Sequence, residues 1–375
     1  MKTVEVAGRT SYTVYMGKDA LSGLGRIMGE SAERSDRKAL VITDKNVAPL
    51  YLKPVLRELK GAGFQAHRHV LPPGEKTKSW SMVHALLRVM TERSMSRDSV
   101  VMALGGGVVG DLAGFAASVY MRGCRLVQVP TTLLAQVDSS VGGKVGVNLR
   151  EGKNLAGAFY PPVAVVCDTR TLESLPEREL RAGTAEIVKY GCIYREDLFD
   201  MLEDWLGETP GDPGGTEVKS WLLNDTDRLQ KAIELSVETK AEIVKADEHE
   251  NGLRMILNFG HTFGHALEQV TGYRKYLHGE AVFLGMRMAT RLSLHAGLLS
   301  GKESERVLRV LQRFRVHLPR SIPRKVYAQM QRDKKMRGGK LHYVLLEKIG
   351  AAVIKTDLGE EAVLDSITEV IEDTW

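Results

Sequence analysis

The stretch DSVVMALGGGVVGDLAGFAASVY, residues 98–120, decides the fold. Residues 98–107 read as a buried strand running into a glycine turn, because an unbroken apolar run is followed at once by glycines. DLAGFAASVY, 111–120, reads as the helix after it. GGGVVG at 105–110 satisfies the spacing G-x-G-x-x-G. That spacing lets a pyrophosphate approach backbone N–H groups at a helix N-terminus. Glycines also serve tight packing of a helix on a strand, and the spacing alone does not choose between the two uses. The acidic residue expected about twenty positions on is missing, since that region holds Arg122 and Arg125. Asp44, ending an earlier strand, is the alternative contact for a ribose.

Outward from this stretch, short apolar runs alternate with helical patterns. KALVITD at 38–44, RLVQVPTT at 125–132 and AVVCDT at 164–169 read as strands. PVLRELKGAGF at 54–64 reads as a helix closed by glycine. This rhythm predicts a parallel, doubly wound sheet. The N-terminal MKTVEVAGRTSYTVYMG alternates like a strand and lacks the apolar core of a signal sequence.

After residue 176 the pattern turns helical. SLPERELRAGTAEIVKYGCI begins a long helix, and 224–248, 261–270, 279–299 and 302–315 read as further ones. Residues 340–356 suggest a hairpin, and GETPGDPGG at 207–215 a surface loop. The expected organisation is an α/β Rossmann-like domain with a parallel sheet over 1–176 and a mostly α-helical domain over 177–375.

Composition narrows the function. The 375 residues are 43% hydrophobic and 26% charged, with a net charge of +5. Two domains are expected at this length. The basic excess is too mild and dispersed for a nucleic-acid binder, its longest cluster being RDKK at 332–335. No apolar run is long enough to span a membrane. Cys124, Cys167 and Cys192 are few, odd in number and scattered, which fits the reducing cytoplasm better than a disulfide framework.

NFGHTFGHALE at 258–268 places His261 and His265 on one face of a helix. His278 follows in LHGE, and Glu186 in GTAEIVKYG offers a carboxylate. Two imidazoles and a carboxylate suit a catalytic zinc with one open position. A histidine pair at this spacing also occurs on ordinary helix surfaces, and the residues alone leave both readings open. The glycines around it, Gly260, Gly264 and Gly279, suggest that something approaches the backbone. Lys144 and Lys153 lie in glycine-rich surroundings, Lys189 shares a helical face with Glu186, and Lys240, Arg254, Lys334 and Lys335 follow. If several converge, the ligand carries phosphate or carboxylate.

In order along the chain, residues 105–162, AGTAEIVKYG, NFGHTFGHALE, LHGEAV and RDKK resemble the 3-dehydroquinate synthase family of sugar phosphate cyclases over nearly the whole length. The resemblance implies a Rossmann-like domain, a helical domain, an active site in the cleft and a homodimer. It implies catalytic NAD and one divalent metal, zinc or alternatively cobalt. The metal ligands would be Glu186, His261 and His278, with His265 facing the substrate phosphate. Asp44, Glu75, Lys78, Gly106, Gly107, Val108, Gly110, Asp111, Thr131, Thr132, Thr171 and Ser174 would hold NAD, with Lys144 and Lys153 beside it. Asp138, Lys144, Lys153, Asn154, Lys189, Lys240, Arg254, Asn258 and Lys334 or Lys335 would line the substrate pocket. Arg122 would reach across the dimer to the phosphate. Ser174 stands where many relatives carry threonine and keeps the hydroxyl. The implied substrate is a seven-carbon keto-acid sugar phosphate, 3-deoxy-D-arabino-heptulosonate 7-phosphate (DAHP). Competing readings are another sugar phosphate cyclase, a metal-dependent polyol dehydrogenase of related fold, and a non-catalytic NAD-binding regulator.

Overall fold

Alternate residues of KALVITD pack on opposite sides of a sheet, and both sides are dry. Leu40 and Ile42 join one apolar layer, Ala39 and Val41 the other. A strand buried on both faces belongs inside a parallel sheet covered by helices on each side. The computed structural model, which describes residues 1–31, 36–208, 218–319, 322–336, 339, 341–356 and 358–373, has this arrangement.

The chain divides into two compact units, Met1–Leu175 with Lys240–His249, and Pro176–Thr239 with Glu250–Trp375. The first runs β1 (Lys2–Val6), β2 (Tyr12–Gly17), α1 (Leu24–Ser31), β3 (Lys38–Asp44), α2 (Lys53–Gly61), β4 (Gln65–Leu71), α3 (Trp80–Glu92), β5 (Val100–Gly105), α4 (Gly107–Val119), β6 (Arg125–Pro130), β7 (Lys144–Leu149), β8 (Gly152–Phe159) and β9 (Ala164–Asp168). Its main sheet has the order β1-β2-β9-β6-β5-β3-β4 and is parallel except where β1 meets β2. From β3 the chain crosses to β4 on one side, and from β5 to β6 on the other. The connections therefore part at the carboxyl ends of β3 and β5, where such sheets hold ligands. Asp44 and Gly105 end those two strands.

The second unit runs α5 (Glu177–Ile193), α6 (Glu196–Glu208), α7 (Val218–Asn224), α8 (Thr226–Ala246, whose end groups with the first unit), α9 (His261–Val270), α10 (His278–His295), α11 (Gly301–Gln312), α12 (Pro323–Met336), the hairpin β10 (Tyr343–Lys348) with β11 (Ala351–Lys355), and α13 (Glu360–Glu372). Among the described residues no helix is long and apolar enough to cross a membrane.

Three local features differ from the expectation. The N-terminal stretch is a hairpin of two strands, not one strand. Helix α4 starts at Gly107, so the last glycine of the motif lies inside it. Strand β4 and the hairpin β7–β8 were not anticipated. Most of the Pro/Gly-rich stretch at 207–215 lies outside the described residues.

Candidate metal centre and nucleotide site

Glu186 sits in α5, while His261 and His278 open α9 and α10. Glycines let these helices meet at backbone distance. A Cβ on Gly279 would stand 1.9 Å from the Ala182 carbonyl oxygen, and one on Gly285 would stand 2.0 Å from that of Gly260. What approaches these glycines is therefore a neighbouring helix. Close contact of α10 with α5 and with the start of α9 brings the three side chains together.

Glu186 is fully buried. Its Oε2 accepts from the Lys189 ammonium one turn along, and its Oε1 accepts no hydrogen bond. That Oε1 lies 3.7 Å from His261 Nε2 and 4.0 Å from His278 Nε2. The other edges of the two rings are taken. His261 Nδ1 is 3.1 Å from the Phe259 carbonyl oxygen, and His278 Nδ1 is 3.3 Å from Glu268 Oε2. The Phe259 carbonyl can only accept, so His261 Nδ1 donates and its Nε2 carries the lone pair; with Glu268 ionised, His278 Nδ1 donates likewise. Burial, then the positive neighbour Lys189 and the adjacent histidines His278 and His265, hold the His261 pKa well below its ordinary value, so the ring is neutral.

A buried carboxylate oxygen without a donor is costly unless a cation takes it. The unbonded Oε1 with two converging imidazole nitrogens has the donor chemistry of a three-ligand divalent metal site. His265, Glu268 and His278 also bring ligand atoms within 4.8 Å of one another. The His265 ring stands 5.4 Å from that of His261 and 5.8 Å from that of His278.

The surroundings brace this group. Arg178 donates Nε and Nη2 to the two oxygens of Glu280, each at 2.7 Å, and Nη2 also to the Lys275 carbonyl at 2.8 Å. Glu280 Oε2 in turn accepts the Leu277 amide at 2.8 Å, closing the first turn of α10. Asn258 donates to Glu250 at 3.1 Å, and Arg254 is buried. Glu268, Arg178 and Glu280 were not singled out from the sequence. Glu268 lies two helical turns after His261, hence on its face, and that spacing was the available signal. The side chains of Lys334 and Lys335 lie outside the described residues.

In the first unit the glycines have separate tasks. Gly106 caps α4, and a Cβ there would meet Thr132 Cγ2 at 2.9 Å; at Gly107 it would meet Ser139 Oγ at 3.0 Å. Gly110 packs α4 on the sheet, where a Cβ would meet Gln128 Oε1 at 2.8 Å. Val108 lies in the first turn of α4, and Thr131 is buried just past β6. Asp44 accepts the amides of Asn46 and Val47 at 2.8 and 3.0 Å.

A polar chain runs nearby. Lys78 donates to Asp111 and, at 2.5 Å, to Asn154 Oδ1; the Asn154 amide donates to Asn148 Oδ1 at 2.9 Å, and Asn148 donates to Glu75 at 2.7 Å. Burial raises the Asp111 pKa, and Lys78 opposes the rise. Asn154 holds a left-handed backbone with φ 58°. Lys240 donates to Asp138 Oδ1 at 2.7 Å and to its carbonyl at 2.5 Å. Thr171 Oγ1 accepts from Gln136 at 3.0 Å, and Ser174 shares a 2.7 Å hydrogen bond with Tyr51. Lys144 opens β7, Lys153 lies in β8, and Arg122 sits in a left-handed turn with φ 64°.

Family models for the 3-dehydroquinate synthase N-terminal and C-terminal regions match residues 68–182 and 183–336. The chain is 44% identical to the 3-dehydroquinate synthase of Desulforamulus reducens, over 98% of this chain and 100% of that one. It is 44% identical to that of Thermoanaerobacter pseudethanolicus, over 96% and 97%. Among solved structures it resembles a 2-epi-5-epi-valiolone synthase from Streptomyces hygroscopicus subsp. jinggangensis with NAD+ and Zn2+ bound, at TM-score 0.85 and 29% identity over 99% of each chain. It also resembles a 2-deoxy-scyllo-inosose synthase complexed with carbaglucose-6-phosphate, NAD+ and Co2+, at 0.82 and 25% over 98% and 99%.

Proposed function

The chain belongs to the 3-dehydroquinate synthase family, and from that premise we infer that it converts DAHP to 3-dehydroquinate and phosphate. The reaction is a transient oxidation at C5, elimination of phosphate, re-reduction, ring opening and an intramolecular aldol closure. One feature of the chain carries the reading beyond membership: the buried Glu186 Oε1 accepts no hydrogen bond and faces two imidazole nitrogens. When bound, NAD supplies a reversible hydride acceptor, and a divalent ion such as zinc or cobalt polarises an alcohol oxygen.

Glu186, His261 and His278 would hold the ion. Lys189 keeps one oxygen of Glu186 occupied and so points the other at the imidazoles. In the first unit Asp44 and the Gly106–Gly107 turn end adjacent strands, a placement suited to ribose and pyrophosphate. The Glu75–Asn148–Asn154–Lys78–Asp111 chain holds its members in set positions for the same ligand. Gly110 serves helix packing within that arrangement. Lys144, Lys153 and Asn154 in the first unit, and separately Lys189, Arg254, Asn258 and His265 in the second, are donors of the kind that phosphate, carboxylate and hydroxyls require. The elimination needs a base, and the leaving phosphate can serve once such donors orient it.

The test is incubation with DAHP, catalytic NAD and zinc, following phosphate and 3-dehydroquinate. Both should form in equal amounts with no net NADH. Turnover only of another seven-carbon or hexose phosphate would select a different cyclase, and net NADH a polyol dehydrogenase.

We also propose a homodimer in which Arg122 completes the partner's site. Val119, Met121, Leu155 and Phe159 are large apolar residues left exposed around the Arg122 turn and on β8, more than a lone chain comfortably presents to water. Light scattering gives the mass in solution. Mixing Arg122→Ala with His265→Ala chains should restore activity that neither has alone; no recovery would reject the shared site. The three cysteines are buried free thiols, in keeping with a cytoplasmic setting.

A further inference from the structure

We propose that Glu268 is a positioning residue for the metal, acting through His278; this rests on the reading of Glu186, His261 and His278 as the ligands. The two imidazoles are held unequally. His261 gives its Nδ1 proton to a neutral backbone carbonyl, that of Phe259. His278 gives its own to a carboxylate, Glu268 Oε2, which is only 3% exposed. A carboxylic side chain is seldom buried without a task, because losing its water costs several kcal/mol, roughly, unless a partner takes its place.

The position of Glu268 follows from the helix it occupies. It lies on α9 two turns beyond His261, and so on the same face, opposite the start of α10 where His278 stands. His278 is the more exposed ligand, its side chain 36% accessible against 11% for His261. A half-exposed imidazole has more room to turn about its side-chain bonds than a buried one. The Glu268 contact fixes both the tautomer and the ring plane, and it sends Nε2 toward Glu186 Oε1. A carboxylate behind the ring also draws the Nδ1 proton toward itself, which makes Nε2 the stronger donor to a cation. Arg178 and Glu280 fix the backbone of the same turn. The backbone and the ring of His278 are thus set by different acidic residues.

The experiment measures metal retention, not only activity. Zinc is exchanged for cobalt, and the visible spectrum, the dissociation constant by chelator competition and the off-rate are recorded. The parent protein, Glu268→Gln, Glu268→Ala and His278→Ala are compared, with metal-free thermal melts as the folding control. Loss of an outer partner of a histidine ligand costs about 10–100-fold in metal affinity. Glu268→Ala should lose that much, with a faster off-rate and an altered cobalt spectrum at an unchanged metal-free melting temperature. Glu268→Gln keeps an acceptor for the Nδ1 proton without the charge and should fall between. Parental affinity and spectrum in both Glu268 variants, with His278→Ala having lost the metal, would overturn the positioning role and leave the ligand set standing. Undiminished metal binding in His278→Ala would instead sink the ligand set on which the role depends. Two ions per parent chain, falling to one in Glu268→Ala, would make Glu268 a ligand in its own right and also overturn the proposal.

Discussion

Lys189 reaches back one turn of α5 and pairs with Glu186 through Oε2 alone, leaving Oε1 of the same carboxylate turned toward His261 and His278. One oxygen is neutralised by a cation built into the fold and the other is left for a cation to be recruited. The side chains of both partners are almost wholly buried, at 2% and 1% exposure. Coulombic attraction between them is therefore weakly screened.

Removing the built-in cation exposes this division. In Lys189→Met the metal-free protein keeps a buried carboxylate with no counter-charge, a loss of about 3–5 kcal/mol when one partner of a buried pair is deleted. Added zinc supplies the missing positive charge. The rise in melting temperature on zinc addition should accordingly be larger in the variant than in the parent. Thermal melts of both proteins with and without zinc check this; equal rises would show that the ion pair and the metal do not share the carboxylate.

The histidines separate by function. His278→Ala should lose bound metal and turnover together, because it deletes an Nε2 that faces Glu186. His265→Ala should retain the metal and lose most activity, at least about 100-fold if it orients the phosphate. Equilibrium dialysis of zinc alongside a phosphate-release assay distinguishes them. Metal loss in His265→Ala with retention in His278→Ala would overturn the ligand set of Glu186, His261 and His278 and reverse the roles given to these two histidines.

Acid should weaken the metal-free fold through His261. Burial, reinforced by Lys189 and the neighbouring histidines, lowers its folded-state pKa well below the ordinary 6.5. The unfolded chain then binds the extra proton first as pH drops, so stability is full above the ordinary value and declines beneath it. Urea midpoints of metal-free protein at about pH 7.5 and about pH 5.5 should differ in that direction. His261→Phe should flatten the dependence; an unchanged slope would assign it to other groups.

Burial also silences the thiols. It pushes Cys124 up to about 12 and the fully buried Cys167 and Cys192 higher still. A thiol reagent near neutral pH should label none of them in the native protein and all three after unfolding. Rapid labelling of a native cysteine would contradict the packing around it.

The sequence revealed elements whose pattern comes from burial on both sides, and it concealed those held by something else. Strands β3, β5 and β9 carry unbroken apolar runs, and β6 one interrupted only by Gln128, because helices cover both faces, so they could be read directly. Strand β4, QAHRHVL, lies at the edge of the sheet as the described residues form it, and its polar side chains hide it. In β8 the β-branched residues that mark strands are missing, and Gly146 and Gly157 cross at backbone distance, so the hairpin β7–β8 carries a weak strand signal. At the site, residue types sufficed to nominate Glu186, His261 and His278. Which nitrogen of each ring faces Glu186 was not legible, since the Phe259 carbonyl and the Glu268 carboxylate lie against the other one.

The meeting of α5 and α10 at Gly279 supplies the most severe structural test. A methyl group there would lie 1.9 Å from the Ala182 carbonyl oxygen and 2.5 Å from its carbon. The obstacle is backbone inside a helix, which cannot rotate aside as a side chain can, so the helices must separate. Overpacking of this kind costs about 1–3 kcal/mol, and rigid backbone puts Gly279→Ala at the upper end or beyond. His278 is the adjacent residue and Glu186 lies one turn past Ala182, so separation also pulls the two ligands apart. The variant should therefore lose both a large part of its stability in urea and its zinc affinity by chelator competition. Gly272→Ala is the comparison: its φ of 66° strains any side chain, yet nothing lies within 4 Å of its Cβ position. It should lose some stability and keep parental zinc affinity. Equal zinc affinity in Gly279→Ala and Gly272→Ala would mean that the close approach of α5 and α10 does not set the spacing of Glu186 and His278.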